Sequence, residues 1–218
     1  MYETRNEAPD WADEAEQRVL DEALRLAPKR GWTRLTARDA GRAAGLSDAD
    51  VELLLPNGPA DLAALLWRRH DAQGLDALAA RDPVTMKIRE RIAAGVEARL
   101  DAAFQDEAAL RRVSGFLALP TNLGLAGRLA WESADALWRW AGDVSADENH
   151  YSKRMILAGI LTGAAAIRLQ SGREAALDFT ARRIENVMAF EKWKATTRLR
   201  PDRAAARAAA FLGRLRYR

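Results

Sequence analysis

The 218-residue chain contains no cysteine, which excludes a disulfide framework, thiolate catalysis and thiolate metal sites, and fits a reducing compartment. Histidine is almost as scarce. His70 and His150 are the two in the chain, and neither has a second His or Cys at ligand spacing, so a metal site would have to rest on carboxylates alone. There is no GxSxG, no Gly-rich phosphate loop and no HExxH. The glycines of "NLGLAG", Gly124 and Gly127, follow no strand, so the context of a dinucleotide site is missing. Acid pairs such as Asp147 and Glu148 are more simply helix N-terminal charges favoured by the dipole. These absences point away from catalysis, and no metal or cofactor is expected. The opening "MYETRNEAPDWADEAEQ" has no basic segment leading into an apolar run, so no secretory signal is expected and a cytoplasmic location is.

Positive charge is missing where a helical regulator would need it. Residues 45–66, "GLSDADVELLLPNGPADLAALL", have the outline of the second half of a helix-turn-helix, yet they contain no Lys or Arg and put Asp48, Asp50 and Glu52 on the short helix. Asp48 and Asp50 stabilise a first helical turn, and Asp50 completes a capping box with Ser47. A carboxylate near a DNA phosphate is nevertheless repelled by roughly 1 kcal/mol at ~4 Å even in water. Arg38 and Arg42 on the preceding helix offset only part of this.

The positive charge lies at the other end. From Lys192 to Arg218 there are nine bases against one acid, Asp202, whereas residues 1–191 carry 25 bases and 30 acids. On a helix over 201–216, Ala204, Ala208, Phe211, Leu212 and Leu215 share one broad face, flanked by Arg203, Arg207 and Arg214. This pattern suits a helix lying in a membrane interface. A basic tail on nucleic acid, or a helix docked on the body with its arginines solvated, are the alternatives.

Apolar residues recur at spacings of three and four throughout, with no sustained alternation, so the expected fold is all-α. Helix 1 is expected over about 10–29, stopping near Pro28 and Gly31. Thr36 with Asp39, and Ser47 with Asp50, mark the starts of two short helices separated by Gly45. Longer helices are expected over about 60–80, 83–104, 107–118, 121–142, 147–170, 173–192 and 201–216, about ten in all. The run "MILAGILTGAAAI" (155–167) is shorter than the ~20 residues of a spanning helix and reads as a buried helix. Gly159 and Gly163 on it either admit a neighbouring backbone or leave a groove.

"ALRLAPKRGWTRLTARDAGRAAGLSDADVELLLPNGPADLAALL" resembles the N-terminal domain of TetR-type regulators, except where their basic and tyrosine phosphate contacts belong. "VEARL" (96–100), "LPTN" (119–122) and above all "LWRWAGDVSADENHYSKRMILAGI" (137–160) resemble the ubiquinone-biosynthesis lipid-binding accessory protein family of mitochondria and alphaproteobacteria. The family motif W-x-x-AGD-x-S-x-D-x-N-x-Y-x-x-R is matched by Trp138, Ala141, Gly142, Asp143, Ser145, Asp147, Asn149, Tyr151 and Arg154. His150 stands where mitochondrial relatives have Trp.

The resemblance implies a TetR-like homodimer that binds isoprenoid lipid or quinone precursors in an apolar pocket. It also implies a C-terminal amphipathic helix on an anionic membrane surface and presentation of the lipid to a di-iron hydroxylase, with peripheral inner-membrane association. Candidate pocket residues are Phe104, Phe116, Leu117, Leu129, Met155, Ile156, Ile160 and Ile167, each of which reads equally as core. Leu100, Leu137, Trp138, Trp140, Asp143, Asp147, Asn149, His150 and Tyr151 form an expected exposed partner-binding patch, on which Leu137→Glu should leave folding intact. The alternative is that the tryptophans are core and the acids cap the helix starting near 147. Membrane binding falls to Arg203, Arg207, Phe211, Leu212, Arg214 and Leu215. The expected organisation is a helix-turn-helix-like region (1–58), a lipid-binding and dimerisation body (59–192), and a basic linker with amphipathic helix (193–218). A ligand-responsive transcription regulator is the rival function, although DNA binding is not expected.

The tail pattern yields a direct expectation. Deleting residues 198–218 should abolish sedimentation with anionic liposomes, and Phe211→Ala with Leu215→Ala should weaken it at unchanged charge. Equal sedimentation of full-length and truncated protein would deny the tail this role.

Overall fold

The computed structural model describes residues 11–144 and 148–196, excepting the side chains of 148–149 and 191–196. The expected amphipathic tail helix, with Arg203, Arg207, Phe211, Leu212, Arg214 and Leu215, lies outside the described residues. Among the described residues the architecture is all-α: α1 (Trp11–Arg30), α2 (Arg34–Ala43), α3 (Asp48–Leu54), α4 (Pro59–Leu78), α5 (Ile88–Ala103), α6 (Glu107–Leu117), α7 (Leu123–Trp140) and α8 (Glu148–Thr196). Short 3₁₀ turns precede α5, α6 and α7, and the first of these, Pro83–Thr85, occupies residues expected to begin a helix.

The chain separates into two compact units, one ending at Thr180 and the other beginning at Ala181, where the described residues continue as helix to Thr196. In the first unit one apolar core joins the head to the body. Val19, Leu20 and Ala23 of α1 share it with Leu62 and Leu66 of α4, Val113 of α6 and Leu129 of α7. Trp32 fastens the head further, donating its indole N–H to the Pro59 carbonyl at 2.8 Å.

The two expected short helices, α2 and α3, are present with Gly45 at φ 80° between them, with one change of register. Thr33, not Thr36, caps α2, its hydroxyl accepting from the Thr36 N–H. Thr36 is buried and gives its own hydroxyl to the Gly31 carbonyl at 2.9 Å. At α3 the expected capping box forms between Ser47 and Asp50. Asp48 has a second role: both its oxygens accept from Arg42, each at 2.8 Å.

Helix α8 breaks at Gly172, whose φ of 86° lies in the left-handed region, where "QSG" was expected to separate a pair of helices. The break permits a contact a straight helix forbids. Sixteen residues of unbroken helix span about 24 Å, yet a Cβ on Gly163 would meet Phe179 Cζ at 2.8 Å. Gly163 is therefore a close-packing glycine, while a Cβ at Gly159 would meet nothing within 4 Å. Among the described residues, α8 alone is long and apolar enough to cross a membrane. One face of its apolar run is inward, with Leu157, Ile160, Leu161 and Ala164 buried; Met155 and Ile156 are exposed on the other.

His70 on α4 is fully buried, with Nε2 3.1 Å from an Asp106 carboxylate oxygen. Burial, reinforced by the Arg99 charge, lowers its pKa from 6.5 to about 4 against the opposing pull of Asp106. A histidine whose folded pKa lies below its unfolded value contributes stability above the unfolded value and loses it as pH falls. Unfolding free energy should therefore drop by about 3 kcal/mol at most from pH 6.5 to 4, and His70→Gln should flatten that portion of the profile. Denaturant titrations of both proteins across this range test it; parallel profiles would show that His70 does not carry the dependence.

Candidate functional site: an apolar cavity behind a helix clasp

A cavity of about 450 Å³ lies within the first unit, inside the roughly 300–1,000 Å³ range of small-molecule sites. Its wall is built from one stripe on each of several helices: Trp67 of α4; Arg99, Leu100 and Ala103 of α5; Leu110, Ser114 and Leu117 of α6; Leu123, Ala126, Ala130 and Ser133 of α7; and Leu161, Thr162, Ala165, Ala166 and Leu169 of α8. Spacings of three, four and seven place each stripe on one face. Alanine and serine occupy many positions where bulkier residues would meet across the gap, and that is why space remains.

Of the eight residues expected to line a pocket, Leu117 alone is on this wall. Leu129 is fully buried in the core, and Phe116 packs against that core. Phe104 does likewise, and the Arg168 guanidinium covers its ring at 4.2 Å from the centroid. Ile160 is buried and Ile167 half-buried, both off the stripe used by α8. Met155 and Ile156 are 66% and 42% exposed. The expectation favoured large side chains, whereas the cavity is framed by small ones.

The expected exposed patch divides. Leu100 and Leu137 are each 3% exposed, so in this chain neither contributes to an open surface, and Leu100 faces the cavity instead. Leu137 packs against Gly95, where a Cβ would meet its Cδ2 at 3.1 Å, so a Glu at 137 would disrupt the α5–α7 contact instead of leaving the fold intact. Trp138 and Trp140 are half-buried, as is His150, which meets the exposed Tyr151 edge-on with ring centroids 5.2 Å apart. Asp147 and the side chain of Asn149 lie outside the described residues, as does Ser145.

The described motif residues make a clasp between α7 and α8. Gly142, at φ 85°, ends α7. Its N–H reaches the Arg139 carbonyl and the Asp143 N–H reaches the Trp138 carbonyl, both at 3.0 Å, the paired bonds of a Schellman C-cap. The turn aims Asp143 at α8, where it accepts from Lys153 at 2.7 Å and from Arg154 at 3.0 Å. Arg154, 2% exposed, also bonds Asp135 of α7. Burial opposes its charge, but the hydrogen bonds it donates to the Asp135 and Asp143 carboxylates outweigh that and raise its pKa. Trp138 completes the clasp by donating its indole N–H to the Lys153 carbonyl at 3.1 Å.

An apolar cavity lined in part by α7 and α8, together with a motif-built clasp joining those two helices, defines the class: a helical protein with an internal apolar cavity. Residues 123–191 match the COQ9 family model, the family to which the resemblance read from residues 137–160 points. The chain is 28% identical over 177 residues to ubiquinone biosynthesis protein COQ9-B, mitochondrial, of Xenopus laevis, covering 75% of this chain and 59% of that protein. It is 24% identical to COQ9 of Xenopus tropicalis over 76% of this chain and 54% of that protein. The human COQ9 is 26% identical over 72% of this chain and 52% of its own length. The chain thus spans about half the length of the curated relatives it matches.

Proposed function

We propose that the protein acts in ubiquinone biosynthesis as a non-enzymatic lipid-binding protein, taking isoprenoid quinone precursors into its cavity and presenting them to a di-iron hydroxylase at the membrane. The observation that carries this reading is the apolar cavity, about half of whose wall comes from the segment matching the COQ9 family model, through α7 and the first arm of α8. A long, flexible isoprenoid chain suits a space lined by Leu and Ala side chains, because its burial is driven by loss of apolar surface from water. The names of the relatives support the pathway. A peripheral membrane location and a homodimer belong to the same proposal.

Solvent extraction and mass spectrometry of the purified full chain test the proposal. An isoprenoid lipid or quinone should co-purify, and Ala130→Trp, which fills the cavity, should lose it while remaining helical. Recovery of no lipid, together with salt-sensitive, sequence-selective DNA binding, would favour a transcription regulator instead. For the hydroxylase, Tyr151 is the most exposed of the described side chains of the candidate patch, at 63%. Tyr151→Ala should reduce pull-down of the hydroxylase without altering lipid content; unchanged pull-down would move the partner surface elsewhere.

A further inference from the structure

One corner of the otherwise apolar cavity carries a guanidinium whose hydrogen bonding is incomplete. Arg99 of α5 lines it at 5% exposure. Its Nε bonds Asp71 Oδ1, and the same oxygen accepts from the Ser133 hydroxyl at 2.7 Å. One terminal nitrogen, Nη2, makes a long 3.4 Å contact with the Trp67 carbonyl, while Nη1 has no partner among the described residues. The guanidinium lies 5.1 Å from the Trp67 ring centroid, and this stacking with the Asp71 bond fixes its plane. Trp67 also lines the cavity through its side chain.

A buried guanidinium with an unmet N–H facing the cavity calls for an acceptor. The charge balance determines which kind. Asp71 already answers the Arg99 charge, so a carboxylate or phosphate brought into the corner would leave a net negative charge in apolar surroundings. A neutral carbonyl or phenol oxygen adds none. Water can fill the corner in the empty protein, but the Leu and Ala wall beyond it selects an oxygen that arrives attached to an apolar chain.

We infer that the Arg99 corner is a head-group site for a neutral oxygen acceptor, a quinone carbonyl or phenol on an apolar tail, and that it discriminates against anionic heads. The inference rests on the lipid-binding reading of the cavity and specifies which end of the lipid enters and what chemistry holds it. Arg99 is here a specificity residue, and the Asp71 and Ser133 pair keeps it in position.

Calorimetric titration of the full chain with three probes of matched tail separates the possibilities: decylbenzene, a decyl-substituted benzoquinone and 4-decylbenzoate. The quinone should bind about tenfold more tightly than either of the others at pH 7, the scale of one hydrogen bond from a charged donor. Arg99→Lys, which keeps the charge but loses the fork, should remove that advantage without weakening decylbenzene. Because a lone change can strand Asp71, the double variant Arg99→Met with Asp71→Leu removes the pair together and should bind quinone and decylbenzene alike. Equal affinity of quinone and decylbenzene for the unaltered protein, tightest binding of the benzoate, or a quinone preference surviving in both variants would overturn the head-group site while leaving a lipid cavity. Binding of none of the three would defeat the lipid reading beneath it.

Discussion

The buried bond of Arg154 to Asp135 and Asp143 is the constraint on which the site depends. Both acids belong to α7 or the turn closing it, and the arginine to the second turn of α8, so the cluster fixes how the two helices that supply half the cavity wall diverge. A guanidinium at 2% exposure is tolerable only with its charge answered on more than one side. Two carboxylates do that, and Arg139 and Lys153 at the rim compensate the extra negative charge. The cluster's value is directional as much as energetic: planar, forked donors accept few arrangements of their partners, so the angle between helices is specified. Asp143 faces α8 only because Gly142 takes a conformation that a side chain would strain.

Much of this was legible from spacing alone. The periodicity predicted the helices, the Gly45 turn marked the head, and "QSG" marked the break at Gly172. The motif from Trp138 to Arg154 identified the family segment, although its described residues turn out to join two helices of the same chain, with Trp138 bonded to Lys153 and Asp143 to Arg154. Local patterns misplaced the start of α2 because Thr33 and Thr36 are both competent caps, and the bond that the Thr36 hydroxyl donates back to the Gly31 carbonyl, which spacing does not reveal, decides between them. Leu100 and Leu137 could not be placed for a similar reason: an amphipathic stripe names a buried face without naming what lies opposite. Leu137 meets Gly95, and Leu100 meets a void.

The cavity itself was the least legible feature. A core is announced by large apolar residues at helical spacing, whereas a cavity is announced by their replacement with small ones at positions facing each other from different helices. Ala103, Ala130 and Ala165 are individually inconspicuous in a chain rich in alanine. What makes them a wall is that α5, α7 and α8 converge there. Arg99 escaped notice for the opposite reason: a lone arginine in "VEARL" reads as surface, and nothing local reveals that Asp71, on another helix, draws it inward.

The pairing of Arg42 with Asp48 extends the contrast between head and body. A polyanion draws proteins to itself largely by exchanging its condensed small ions for basic side chains, and the freed ions supply the entropy. Arg42 already holds a carboxylate from its own chain in a two-toothed grip, so meeting a phosphate would mean giving up one anion to gain another. The pair thus ties α2 to α3 within the chain, and the surface it presents is closer to that of a structural bracket than of a probe.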